Sequence, residues 1–303
     1  MPTANWEDVM EKADPLGSGI SLLVPLHLNN QEERARNWNW LKAYWKANLP
    51  GAEIVIGSDE EAQTTKVPFS KSVAVNNAAS VASGDVFVII DADVYISIET
   101  ILRAAKEIRL ARKRGHRLWL MPYRRMYRLT AKASSEVLKS DPKSPFEYSC
   151  PPPDGSFTNT VLHQGIHVTK IGHWYGAMIQ IMPKEAFELV GGWDPRFKGW
   201  GGEDHAAMVA MDTLYSPHKT LPDQVLHLWH PVHVPEKFDD AGGKQRRWEN
   251  QTKSNDILSG RYYWSNGHPG RMRKLVDEFK DENHRHREHH RHHHKHRHPP
   301  CSF

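Results

Sequence analysis

The sequence predicts an α/β fold with a mainly parallel central sheet flanked by helices. Three observations predict it. Apolar runs of strand length stand at 20–26, 53–57 and 86–90. These runs are near-continuous rather than alternating, as in strands covered on both faces. The segments between them carry helical spacing, which makes the order β-α-β-α-β. Ligands of such sheets bind beyond the carboxyl ends of the strands. His27, Asp59, Asp91 and Asp93 follow the three runs and are therefore candidate site residues by position alone.

Each element has its own signal. Ile20-Ser21-Leu22-Leu23-Val24-Pro25-Leu26 is the first strand, closed by polar residues from His27 to Gln31. Trp38, Leu41 and Trp45 then fall on one helical face, and Pro50-Gly51 ends that helix. Glu53-Ile54-Val55-Ile56-Gly57 is the second strand, with Ser58-Asp59 at its end. Ser72 to Ser83, rich in Ala, Val and Asn, is helical, and Gly84-Asp85 turns the chain into the strand Val86-Phe87-Val88-Ile89-Ile90. The next helix has a buried stripe of Ile98, Ile101, Leu102, Ala105, Ile108 and Leu110. Its basic end, Arg112-Lys113-Arg114-Gly115, is an ordinary stop that matches the helix dipole, not a partner site.

Leu118 to Met121 is a further strand. Residues 123–170 hold five Pro and no sustained period, which predicts an irregular functional loop or lid. Order returns with a strand over Ala177–Met182, a helix over Lys184–Leu189 closed by Gly191-Gly192, a helix over about 204–214 and a strand over Gln224–Trp229. Asp256 to Phe279 adds one or two peripheral helices. The expected organisation is an N-terminal segment (1–18), a main domain (19–250), peripheral C-terminal helices (251–282) and a disordered His/Arg-rich tail (283–303).

Composition excludes several function classes. Of the 303 residues, 40 are Lys or Arg and 36 are Asp or Glu. The stretch His284 to His298 alone holds five Lys/Arg, one Glu and nine of the 20 His. The rest of the chain is balanced, at 35 basic and 35 acidic residues, which is no footprint for nucleic acid. The two cysteines, Cys150 and Cys301, form neither a disulfide framework nor a zinc spacing. No signal-peptide core or membrane-spanning run is present, so a cytoplasmic protein is expected. Eleven Trp offer flat faces that either pack in a core or stack on sugar rings.

Two acidic motifs carry chemistry. Asp91-Ala92-Asp93 follows the most apolar strand. In extended backbone residues i and i+2 point the same way, so both carboxylates are expected to converge on one hard cation, Mg²⁺ or Mn²⁺. The second motif is Gly199-Trp200-Gly201-Gly202-Glu203-Asp204, inside a stretch with five glycines between Gly191 and Asp204. Its glycines permit close backbone approaches, Trp200 offers a stacking face, and Glu203-Asp204 sits where a helix start favours ionised carboxylates. His227, His230 and His233 lie on or after the last strand as candidate nitrogen ligands.

Gly199 to Asp204 resembles the Gly-Trp-Gly-Gly-Glu-Asp motif of the β-1,4-galactosyltransferase family, a group of GT-A glycosyltransferases akin to the broader family 2. Val24-Pro25-Leu26 with Asn30-Gln31-Glu32 resembles that family's first strand and nucleotide-binding segment. Asp91-Ala92-Asp93 resembles its Asp-x-Asp metal motif, and Tyr175-Gly176-Ala177 its donor-bordering glycine turn. Order and spacing fit from about residue 19 to 235. His205 stands where the family usually has another acid, and the lumenal cysteines and membrane anchor of animal members are missing. A microbial or phage relative is implied, acting in the host cytoplasm if phage-encoded.

The resemblance implies a GT-A fold and a metal-dependent, inverting transfer of a hexose or N-acetylhexosamine from a nucleotide-diphosphate sugar, a UDP-sugar foremost. Asp204 is then the general base, and Glu203 hydrogen-bonds donor or acceptor hydroxyls. Asp91, Asp93, His230 and, second, His227 hold Mn²⁺ or Mg²⁺. Pro25, His27, Asn30, Asp59, Lys71, Ala92 and Gly176 contact the donor. Trp200, Gly201, Gly202 and Trp174 contact acceptor or sugar, and His233 is structural or exposed. The competing readings are a catalytically silent nucleotide- or sugar-binding protein and a nucleotidyltransferase. Acceptor, linkage and oligomeric state are left open.

Overall fold

The computed structural model describes residues 14–27, 32–65, 67–144, 160–162, 166–170, 178–199, 201–231 and 243–280, with backbone only for 160–170 and 243–252. The three leading strands form as expected: β1 (Ile20–Pro25), β2 (Glu53–Gly57) and β3 (Val86–Ile90). Between them lie α1 (Glu32–Asn48), the short α2 (Glu60–Thr64) and α3 (Lys71–Val81). Next come β4 (Val94–Tyr95), α4 (Ile98–Lys113), β5 (Leu120–Met121), β6 (Arg125–Leu129) and α5 (Ala131–Lys139). The chain continues through β7 (Thr160–Leu162), β8 (Ile166–Lys170), β9 (Ile179–Pro183), α6 (Lys184–Leu189) and α7 (Glu203–Leu214). It then adds β10 (Lys219–Thr220), β11 (Gln224–His227), α8 (Gly243–Ser265) and a final helix over 269–280.

The larger sheet has the order β10-β5-β9-β3-β1-β2. β1 pairs in parallel with both β2 and β3, and β5 with β10, while β9 runs antiparallel between β3 and β5. The sheet is thus mainly parallel with one reversed strand. Every residue of β1, β3 and β9 is buried, which accounts for their unbroken apolar runs. Trp38, Leu41, Tyr44 and Trp45 of α1 are buried in the core, Tyr44 against Tyr95 of β4, and Ala74, Val75 and Ala78 of α3 pack beside β2. Gly57 makes that packing possible, because a Cβ there would lie 1.9 Å from the carbonyl oxygen of Ala74. Each aliphatic side chain taken fully from water contributes ~1.5–3 kcal/mol.

The second sheet has the order β4-β11-β6-β8-β7. Its critical strand is β11, antiparallel to β4 and parallel to β6. The register pairs His227 with Val94, the residue after Asp93. Backbone pairing, not sequence proximity, therefore brings the histidine segment to the acidic motif.

Three expectations need correction. Residues 123–170 are not irregular throughout, since they contain β6, α5, β7 and β8. Leu110 is 40% exposed and lies outside the buried face of α4, which is built from Ile98, Ile101, Ala104, Ala105 and Ile108. The C-terminal helices are not peripheral: α8 begins at Gly243, so a boundary at 250/251 falls inside it. Leu258, Tyr262, Met272, Leu275, Val276 and Phe279 belong to the buried core. Among the described residues no helix is long and apolar enough to cross a membrane.

Candidate metal and general-base site

The site begins at the end of β3. The N–H of Asp91 donates to the Met178 carbonyl at 2.9 Å, and the N–H of Val94 donates to the Asp91 carbonyl at 3.2 Å. The second bond closes a turn over Asp91-Ala92-Asp93. Met178, which leads into β9, has φ 70° and is the one non-glycine with positive φ among the described residues. Such backbone strain gathers at functional sites. The turn corrects the expectation of an extended Asp-x-Asp: Asp91 pairs with Lys71, while Asp93 faces His227 and His230.

Asp93 faces nitrogen ligands. Its Oδ1 lies 3.6 Å from Nε2 of His227, and its Oδ2 lies 3.2 Å from Nε2 of His230. The β11–β4 register sets His227, and the Leu228 N–H, donating to the Asp93 carbonyl at 2.8 Å, locks the strand end. Nδ1 of His230 is 2.9 Å from the Pro231 carbonyl, which only accepts, so Nδ1 carries the proton. Nε2 then faces both Oδ2 of Asp93 at 3.2 Å and Nη2 of Arg34 at 3.3 Å.

Burial pushes the Asp93 carboxyl up, but His227, His230 and Arg34 outweigh it and hold the group well below the usual carboxylate range. Burial is the largest cause lowering the His227 imidazole, toward the neutral form a ligand needs, while Asp93 and Asp91 oppose it. One ligand atom from each of Asp93, His227 and His230 lies within 4.8 Å of the others. A carboxylate oxygen with two imidazole nitrogens, one ring oriented by a backbone carbonyl, fits a divalent ion such as Mn²⁺.

Asp91 faces the other way. Nζ of Lys71 lies 2.6 Å from Oδ1 of Asp91 and 2.8 Å from Oδ1 of Asp204. Lys71 opens α3, where the Ser70 hydroxyl accepts from the Val73 N–H at 3.3 Å and donates to the Phe197 carbonyl at 2.7 Å. This cap ties the start of α3 to the glycine-rich loop. The ammonium also lies 5.5 Å from the centre of the Trp193 ring. Burial alone would lower the Lys71 pKa, yet Asp204, Asp91 and Glu203 raise it well above the ordinary lysine value.

Asp204 is the second residue of α7. Gly202 caps that helix at φ 91°, and a Cβ there would lie 2.2 Å from Oγ of Ser259 in α8. A side chain would therefore be strained and would force the Ser259 hydroxyl to move. Glu203 is buried and accepts from the Gly201 N–H at 3.2 Å, while the Gln180 amide donates to the Asp204 carbonyl at 3.2 Å. Burial is the largest cause raising the Asp204 carboxyl, Glu203 and Asp91 add to it, and Lys71 opposes. The net is a group pushed up to about 8. Its side chain keeps 21% exposure, so it is reachable.

The structure thus brings together Asp91, Asp93, Lys71, Glu203, Asp204, His227 and His230. Pro25 is buried at the end of β1 opposite Gly57, and His27 stacks on Phe69 at 4.8 Å. Ala92 lies half-buried in the turn. Asp59 is a correction. It is buried, its Oδ1 accepts from the Ala62 N–H and its Oδ2 from the Ser70 N–H at 2.8 Å, so it acts as a helix cap and loop clamp, not a donor contact. Asn30, Trp174, Gly176, Trp200 and His233 lie outside the described residues.

Sequence reasoning misses Arg34 beside the metal ligands, since nothing in its spacing distinguishes it from other charges of α1. It also misses the buried Asp194, which accepts from Nη2 of Arg196 at 2.7 Å and from the Tyr262 hydroxyl at 3.0 Å and so ties α8 to the glycine-rich loop.

A family model described as the N-terminal domain of galactosyltransferase matches residues 162–211. The matched stretch contains β8, β9, α6, the Gly-Trp-Gly-Gly-Glu-Asp motif and most of α7. The resemblance read from the motifs is borne out there, and the matched family is one of glycosyltransferases. No sequence among curated proteins matches the chain. Among solved structures, the catalytic domain of Drosophila β1,4-galactosyltransferase 7 in complex with xylobiose is similar at 14% identity. The match covers 75% of this chain and 77% of that one, with a TM-score of 0.36. TarS of S. aureus is similar at 16% identity over 69% of this chain and 36% of its own, with a TM-score of 0.41. GalNAc-T7 with UDP, GalNAc and Mn²⁺ is similar at 12% identity over 91% and 55%, with a TM-score of 0.43.

Proposed function

We propose that this chain is a metal-dependent, inverting glycosyltransferase with a GT-A fold. It transfers a hexose or N-acetylhexosamine from a nucleotide-diphosphate sugar, a UDP-sugar foremost, to an acceptor hydroxyl. One observation carries the reading. A three-ligand set (Asp93, His227, His230) stands two residues from a Lys71-linked carboxylate pair whose second member, Asp204, ends the Gly-Trp-Gly-Gly-Glu-Asp motif. The family match over the same motif supports it.

Asp93, His227 and His230 would hold Mn²⁺ or Mg²⁺. When bound, such an ion neutralises charge on the departing nucleoside diphosphate. The remaining chemistry belongs to the chain. Asp204 takes the proton from the acceptor hydroxyl as that oxygen attacks the anomeric carbon and the bond to the diphosphate breaks. A carboxyl raised to about 8 binds a proton more tightly than an ordinary one, which makes it a stronger base once ionised. Lys71 holds Asp204 oriented and brings a fixed positive charge next to the turn that carries Asp93. Glu203 positions the loop through Gly201 and hydrogen-bonds a sugar hydroxyl. Attack opposite to the leaving group inverts the anomeric centre in one displacement.

The test is Asp204→Asn. The variant should bind UDP with Mn²⁺ as the parent does, while transfer from a panel of nucleotide sugars falls by at least ~10³-fold, the upper part of what acid–base and positioning roles supply. Transfer at the parent rate would remove Asp204 as base. Release of pyrophosphate from a nucleoside triphosphate, without sugar transfer, would instead favour a nucleotidyltransferase.

A further inference from the structure

A groove of about 350 Å³ lies between α1 and α5, lined by Glu33, Arg36, Ser134, Ser135, Lys139 and Trp229 among others. None of these residues takes part in the chemistry above. Trp229 stands between the two histidines of the metal set, yet its side chain is 38% exposed. Its backbone is held at both ends: its N–H donates to Oγ of Ser134 at 2.7 Å, and its carbonyl accepts from Nδ2 of Asn37 at 3.0 Å. A large indole is thereby held in fixed register with part of its surface open to the groove. An indole held in this way offers a flat face on which a ring can stack.

The lining specifies what that something is. Lys139 is paired with Glu136 at 3.0 Å, so its charge is largely met. Glu33 and Arg36 then leave the groove with one carboxylate and one guanidinium, and no net charge to attract phosphate or nucleic acid. The exposed Ser135 hydroxyl adds a further donor and acceptor beside the aromatic surface. An aromatic wall with balanced, mixed donors and acceptors suits a neutral polyhydroxylated ring, and the volume is in the range of small-ligand sites, ~300–1,000 Å³.

We infer that the α1/α5 groove is a carbohydrate subsite that holds a neutral sugar unit through Trp229. Its assignment to the acceptor, at a unit away from the reacting hydroxyl, rests on the glycosyltransferase reading. The sugar-binding property itself does not.

The experiment uses the full chain without metal or nucleotide. Saturation-transfer NMR is recorded with neutral disaccharides (cellobiose, chitobiose, xylobiose, maltose) and with uridine monophosphate as an anionic aromatic control. At least one disaccharide should show transfer. Ser135→Trp, a change at an exposed position of α5 that fills the groove, should reduce that signal at least tenfold, as should Trp229→Ala, while Trp229→Tyr keeps most of it. Binding of UDP with Mn²⁺, read separately by calorimetry, should be unchanged in Ser135→Trp. Absence of transfer from every disaccharide, transfer that survives Ser135→Trp, or displacement of the sugar by uridine monophosphate would overturn the subsite. Failure of the parent to bind UDP with Mn²⁺ would overturn the glycosyltransferase reading and leave the saccharide result to decide the groove by itself.

Discussion

Asp91 and Asp93 are the same residue type, two positions apart on one turn, and they have different partners. Asp93 is buried among two imidazoles and a guanidinium, with its carboxyl held far down. Asp91 is a quarter exposed (26%) and bound to a lysine that it shares with Asp204. The difference comes from the backbone. A turn after β3 sends one side chain toward β11 and the other toward the start of α3. A motif that reads as one metal site therefore divides into a ligand half and a base-orienting half, and the two halves should fail differently.

The largest effects should come from the ligand half. Replacing His227 or His230 with Ala should weaken Mn²⁺ binding ~10–100-fold or more, the scale known for groups that support a metal from outside its ligand shell. Electron paramagnetic resonance of the free ion reads this directly. Equal Mn²⁺ affinity in both variants and the parent would mean that the nitrogen set does not hold the ion.

The base half should respond through pH. With the Asp204 carboxyl pushed up to about 8, kcat/KM should rise as pH increases through that value and be lost below it, because only the carboxylate accepts the proton. Lys71→Met removes the one charge that opposes the upward shift. The carboxylate is then harder to form, and the rise should move to higher pH by about one unit, worth ~1.4 kcal/mol. A profile that stays in place, or moves to lower pH, would break the link between Lys71 and Asp204.

The smallest effect expected lies at the far side of the loop. Tyr262→Phe leaves Asp194 without its 3.0 Å hydroxyl donor while Arg196 stays. Thermal unfolding should report a loss of ~1–2 kcal/mol for one buried hydrogen bond to a charged group. Mn²⁺ affinity should not change. A loss of Mn²⁺ binding on this substitution would show that the loop clamp and the ligand half are not separable.

These contrasts mark how far the sequence can be read. β1, β2 and β3 are legible because strands buried on both faces need no alternation, only an apolar run. α6 and α7 are legible because Gly191-Gly192 and Gly201-Gly202 mark a stop and a start. β6 and α5 are hidden for a physical reason. In β6 the exposed Arg125 and Arg128 flank the buried Met126 and Tyr127, a burial pattern that fits neither a period of two nor a continuous run. α5 spans nine residues with two serines, and only Ala133, Ser134 and Val137 are buried.

In the site, the residue types and their order along the chain are legible, but Lys71, expected at the donor, gives no sign of its pairing with Asp91 and Asp204. The direction of each carboxylate is not legible either. It depends on one turn hydrogen bond, from the Val94 N–H to the Asp91 carbonyl, and on a strand register set more than 130 residues away at His227. Local pattern carries neither.

The division between the two aspartates can be tested in one comparison, by titrating Mn²⁺ into Asp93→Asn and Asp91→Asn proteins that fold as the parent does. The account predicts that Asp93→Asn loses high-affinity Mn²⁺ binding while Asp91→Asn keeps it within a few-fold. Loss in Asp91→Asn with retention in Asp93→Asn, or equal loss in both, would contradict it.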